Sequence, residues 1–102
     1  MVIFSVLYPA KAGARFDEAY YHARHIPLAR EAFGDALKDV QVIKGLSAPD
    51  GGPAPFVLIA HLTFESPEAM ARALGGPRSA EVMNDVVNFT DIVPVALVGA
   101  PV

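Results

Sequence analysis

Hydrophobic positions recur along this chain with two periods, and the change of period marks its elements. Val2 to Tyr8 is a short apolar run, which predicts a strand buried on both sides. Pro9 to Gly13 predicts a turn. From about Arg15 the spacing becomes helical. Phe16, Ala19, Tyr20 and Ala23 fall at i, i+3, i+4 and i+7 and predict a buried stripe. Glu18, Tyr21, His22 and His25 recur at the same spacing on a second, polar face. No Ser or Thr caps the start, and Asp17 and Glu18 are expected in the first turn. The helix is predicted to run to about Phe33, with Gly34 as its stop. Pro27 removes an N–H inside the pattern and predicts a kink that frees the Ala23 carbonyl and reorients the turn holding His25.

Residues 36–46 predict a second strand anchored by Val40, Val42 and Ile43. A Gly- and Pro-rich hairpin loop follows over 47–55. Phe56 to Phe64 predicts a third strand. Leu58, Ala60 and Leu62 alternate with Val57, Ile59, His61 and Thr63, so both of its faces are mainly apolar. Ser66-Pro67-Glu68 is a strong helix start, and that helix ends at Gly75-Gly76-Pro77. A short helical piece over 78–86 precedes a last strand, about 91–98. Pro94 lies inside it, implying an edge position, a bulge or a strand end. The order β-α-β-β-α-β predicts a single α+β domain over 1–102, ferredoxin-like, with a four-stranded antiparallel sheet and helices on one face. The apolar character of the opposite face predicts sheet-on-sheet dimerisation.

Composition changes this picture at three points. The hydrophobic fraction is 53%, above the usual range of about 45–50%, which again argues for an apolar face covered by a second copy. Eight Lys and Arg against eleven Asp and Glu leave a net charge of −3 with no basic run, so no nucleic-acid surface is expected. There is no cysteine, which excludes disulfides, thiol catalysis and a Cys-based zinc site. The apolar N-terminus lacks a basic n-region and a cleavage site, and no run approaches a membrane span. A cytoplasmic homodimer with no membrane partner is the expectation.

Three stretches resemble one family. Phe16-Asp17-x-x-Tyr20-Tyr21-x-x-x-His25-x-Pro27-Leu28 resembles the first-helix motif of the EthD family, within the dimeric α/β-barrel superfamily. Leu62 to Met70 is similar to that family's junction between third strand and second helix. Asp85 to Asp91 resembles its segment before the last strand. The resemblance implies a ferredoxin-like protomer paired through its sheet into a dimeric α/β barrel. It also implies a link to ether degradation and to other catabolic or polyketide-like pathways, where an oxidoreductase label is often attached. By position it carries over Tyr21 and His25 on the helix, and Asn88, Phe89 and Asp91 near the final strand.

His25 is the first candidate for chemistry, because an imidazole gives or takes a proton near neutral pH; the alternative is that it fixes the kink by bonding a freed carbonyl. Tyr21, one turn away, is the candidate to orient a substrate carbonyl or phenolate, or else an amphipathic tyrosine with its ring in the core. Tyr20, on the apolar stripe, is read as core. His22, one turn from Glu18, is read as an exposed ion pair. His61 either lines the barrel interior or is a satisfied interface histidine. Asn88 and Asp91, flanking Phe89, are turn formers by default and a polar pocket rim otherwise; substrate binding is assigned to Asn88, Asp91, His61 and Phe89. His22 and His25 at i, i+3 form no established zinc motif, and no Gly-rich loop follows a strand, so neither metal nor cofactor is expected. The functional expectation is a homodimer that binds a small hydrophobic or aromatic metabolite. Its chemistry would be cofactor-independent proton transfer, such as cyclisation, dehydration or isomerisation, or else oxidation. The alternatives are a non-catalytic accessory protein of a catabolic oxygenase system and a purely structural dimer.

Overall fold

A computed structural model describes residues 1–102. Four strands, β1 (Val2–Pro9), β2 (Leu37–Lys44), β3 (Phe56–Phe64) and β4 (Val95–Gly99), form one antiparallel sheet in the order β2-β3-β1-β4. The first crossover holds α1 (Glu18–Tyr20), a π-helical segment (Tyr21–His25) and α2 (Ile26–Phe33), run together without a break. The second holds α3 (Pro67–Leu74), α4 (Ser79–Asn84) and a 3-10 turn (Asp85–Asn88). This is the expected ferredoxin-like α+β arrangement.

The strand period decides which residues meet the helices. In β3, Leu58, Ala60, Leu62 and Phe64 are buried on the helix side, and their neighbours across β1 are Tyr8, Val6, Phe4 and Val2. The alternating set, Ile3, Ser5 and Leu7 with Val57, Ile59, His61 and Thr63, occupies the other face. Two core clusters result. One gathers Val2, Ala29, Phe33, Phe64 and Val82 with Ala60 and Leu62. The other gathers Tyr8, Tyr21, Leu58, Phe89 and Ile92.

The first crossover differs from expectation in three ways. Its helix begins at Glu18, with Asp17 as N-cap: the Asp17 carboxylate accepts from the Tyr20 N–H at 3.0 Å, supplying the cap that no Ser or Thr provides. The departure from α geometry precedes Pro27. The Ile26 N–H bonds the Tyr21 carbonyl, an i→i−5 bond that widens the turn. The buried stripe is therefore Tyr21, His25, Ala29 and Phe33, at steady steps of four, while Ala19 and Ala23 are exposed. An α-helix carries about 3.6 residues per turn, so steps of four drift around it; one wider turn offsets that drift. The face read as polar is the one that packs on the sheet. Glu18, in turn, pairs with Lys44 at 3.0 Å and not with His22.

The last strand is shorter than expected. Pro94 stands just before β4, which is an edge strand, and residues 91–94 lie outside the ladder, with Ile92 inserted in the core.

Candidate active site

The helix, the sheet and the second crossover enclose a cavity of about 180 Å³ between the two core clusters. Of its sixteen lining residues fourteen are hydrophobic, so an occupant must be largely apolar. Phe4, Val6 and Ala60 form its floor on the sheet. Tyr21, His25 and Ala29 form the helix wall. Met83, Val86 and Pro94 belong both to this cavity and to a shallow cleft outside it, which marks its open side.

His25 is the titratable group other than tyrosine in this wall, and it is 6% exposed. Its Nδ1 lies 2.9 Å from the Asp85 carboxylate. The second Asp85 oxygen accepts from the Tyr20 hydroxyl at 2.6 Å and from the Asn88 amide at 2.9 Å. Burial acts to raise the Asp85 pKa, but the bonds from Tyr20, Asn88 and His25 outweigh it and hold the carboxyl below its ordinary value. An ionised Asp85 only accepts, so His25 Nδ1 carries the proton. Nε2, which bonds no group of the chain, is left as the lone-pair nitrogen of the neutral ring. Aromatic rings hold the imidazole in place: Tyr21 stacks on it at a centroid distance of 5.3 Å, and Phe89 packs at 4.6 Å.

A latch keeps Asp85 opposite His25. The Arg15 guanidinium donates to the carbonyls of Val87 at 3.0 Å and Asn88 at 3.4 Å, at the end of the 3-10 turn. The Arg15 N–H donates to Asp91 at 2.9 Å, and the Thr90 hydroxyl donates to the Arg15 carbonyl at 2.6 Å. Asp17 adds a backbone bond to the Phe89 carbonyl at 2.8 Å. The segment that starts the helix thus grips the segment that carries the carboxylate.

The candidate residues fall into three places. His25 and Tyr21 border the cavity. Asn88, Phe89 and Asp91 stand behind it: Asn88 holds Asp85, Phe89 is fully buried against His25, and Asp91 belongs to the latch and the outer cleft. His61 is on the opposite face of the sheet, where its Nδ1 bonds the Ser5 hydroxyl at 2.7 Å, so the protomer does not bring it to the cavity. His22 is exposed, with its ring against the edge of Tyr21. No three His, Asp or Glu side chains gather in a way that holds a metal ion.

Asp85 and Tyr20 are the members of this network that sequence reasoning passed over. The Asp85-x-x-Asn88 spacing is a signal of an i, i+3 contact, yet it is also an ordinary end of a helical piece. An unbroken α-helix puts Tyr20 on the apolar stripe, so spacing alone assigns it to the core.

Residues 13–92 match the EthD domain. The chain belongs to the EthD family. An EthD-like protein from Ralstonia eutropha is 36% identical over 96% of this chain and 88% of its own, with a TM-score of 0.88. An EthD family protein from Bacillus halodurans is 21% identical over 100% of this chain and 99% of its own, with a TM-score of 0.81. SnoaB, a cofactor-independent oxygenase from Streptomyces nogalater, shares the fold at 13% identity and a TM-score of 0.64, over 98% of this chain and 91% of its own. Among curated proteins, none matches.

Proposed function

We propose that this EthD protein binds a small hydrophobic carbonyl compound in the cavity and moves a proton on it without a cofactor, with His25 as the base. The observation that carries this reading is His25, buried in the wall of an otherwise apolar cavity and paired at 2.9 Å with the partly buried Asp85 carboxylate behind it. A buried imidazole that serves only packing does not need an ionised partner, whereas a base that becomes an imidazolium does. Asp85 fixes the tautomer and balances the charge that His25 acquires. Tyr21 contributes a donor for the substrate oxygen. The fold supports the same reading, since it also carries the cofactor-independent chemistry of SnoaB.

The exposed sheet face supports a homodimer. Ile43, Val95 and Leu97 are 44%, 55% and 52% exposed there, beside Ile3, Leu7 and Ile59. Exposed apolar side chains grouped in this way around the Ser5–His61 pair mark an interaction surface, and a second copy of the same sheet would cover it. His61 and Ser5 would then lie between the two sheets.

Exchange of α-hydrogens for deuterium in small enolisable ketones tests the reaction directly. The wild-type protein should catalyse it. His25→Ala should lower the rate by about a hundredfold or more, with the fold intact by circular dichroism. Asp85→Asn should lower it roughly tenfold, through loss of the oriented tautomer. Unchanged exchange in His25→Ala would overturn the assignment. Saturable ketone binding with no exchange would favour the accessory-protein reading instead.

A further inference from the structure

The proton-transfer reading leaves a second buried phenol without a role. Tyr8, in β1, and Tyr21, in the π-helical segment, are 2% and 1% exposed. Their rings meet edge to face at 6.1 Å, and both border the cavity. Neither hydroxyl bonds another group of the chain. No fully enclosed side-chain oxygen or nitrogen lacks a partner, so each of these two unbonded hydroxyls is accessible, and the two residues share the lining of the cavity. Burial pushes both phenols well above their ordinary range, which keeps each a neutral donor at physiological pH. Tyr21 also stacks on His25, so the base lies beside one donor on the helix wall, and the other donor meets that wall from the sheet.

We infer that Tyr8 and Tyr21 together receive a single carbonyl oxygen, and that the ligand is a neutral compound built on one ring. This deepens the proton-transfer reading and rests on it. Size sets the ring count. An apolar cavity of about 150 Å³ holds benzene, so about 180 Å³ admits one ring with a short substituent, and a fused-ring compound would leave part of itself in the open cleft beside Met83, Val86 and Pro94. Charge of either sign is excluded by the lining, which contains no Lys, Arg, Asp or Glu, since a buried ion without a partner of opposite charge loses its hydration uncompensated. With the carbonyl oxygen between the phenols, the α-carbon faces His25. The α-proton passes to Nε2, the C–H electron pair becomes the enolate double bond, and the oxygen takes the negative charge. Two fixed O–H donors then hold that charge where it develops. Return of a proton to carbon completes the exchange, so no oxidant or reductant is consumed.

Three probes test this in a nuclear magnetic resonance titration of the isotope-labelled protein. They are acetophenone, ethylbenzene (the same shape without the oxygen) and 2-acetylnaphthalene. Acetophenone should bind saturably, with shifts at Tyr8, Tyr21 and His25, and 2-acetylnaphthalene should not. Tyr8→Phe should weaken acetophenone roughly fivefold to tenfold while leaving ethylbenzene unchanged. Equal effects on the two compounds would overturn the phenol site, as would no effect on either. Saturable binding of the naphthalene compound, or none of acetophenone, would overturn the ligand class. Binding is read without turnover. A wild-type protein that shows the Tyr8-dependent preference but no hydrogen exchange would refute the proton-transfer reading alone. One that catalyses exchange without that preference would refute the phenol pair alone.

Discussion

Tyr20 and Tyr21 are adjacent tyrosines with different tasks. An α-helix turns about 100° per residue, so neighbours face different surroundings. Tyr21 points into the aromatic core beside the cavity, while Tyr20 reaches the Asp85 carboxylate at 2.6 Å. Neither task is legible in the pair itself, since both side chains are equally amphipathic. The Asp85 network has a pH consequence. Its pKa is lower folded than unfolded, so its contribution to stability is fully present above the ordinary carboxylate pKa of about 3.9. That contribution is lost as pH falls through the lower folded value. Tyr20→Phe removes one of the three bonds that lower it. Acid unfolding followed by circular dichroism should therefore begin at a higher pH in Tyr20→Phe than in the wild type. Coincident acid transitions would contradict the network.

At the scale of elements, the crossover from β1 to β2 carries the most information. Its helical identity follows from the spacing of apolar residues, but its phase does not. The stripe Tyr21, His25, Ala29 and Phe33 has a step that fits an α-helix imperfectly, and the i→i−5 bond at Tyr21 brings it onto one face. A π turn costs the helix ideal geometry, and nothing in residues 21–25 taken alone requires it. Packing against the sheet selects it, because it seats Tyr21 and His25 together. The exit from the helix, by contrast, is local. Gly34 adopts φ +57° and ψ −139°, a conformation that side chains strain to enter. Gly34→Ala should destabilise the fold by about 1–3 kcal/mol in a denaturant titration, although its Cβ would meet no atom within 4 Å. The cost comes from the backbone and not from a clash. The stop at Gly34 and the Ser66 cap, whose hydroxyl accepts from the Ala69 N–H at 3.1 Å, were readable for the same reason: each acts within a few residues of itself.

For the whole molecule, the two sheet faces have different surroundings. One face closes the cavity against the helices. The other presents Ile43, Val95 and Leu97 around the Ser5–His61 pair. Ile59 lies on that outer face, paired with Leu7 and Ile43 on the flanking strands. Ile59→Lys would place a charge in the middle of the proposed sheet-to-sheet contact and leave the cavity lining unchanged. Light scattering at micromolar concentration should find the wild type dimeric and this variant monomeric; a monomeric wild type would refute the dimer. No helix is long and apolar enough to cross a membrane.

The sequence by itself determined the element order, the ferredoxin-like topology and the apolar character of both sheet faces, and it singled out His25 as the candidate base. Each of these rests on period-2 or helical spacing, on caps and on turn residues, which are interactions between near neighbours. Tertiary structure decided which helix face is buried. It decided that Asp85 is the partner of His25 across sixty positions, and it put Tyr8 beside Tyr21. It separated His61 from the cavity by the thickness of the sheet. These outcomes depend on side chains far apart in the chain coming into contact, and on a one-residue change of helical phase, and local spacing carries neither.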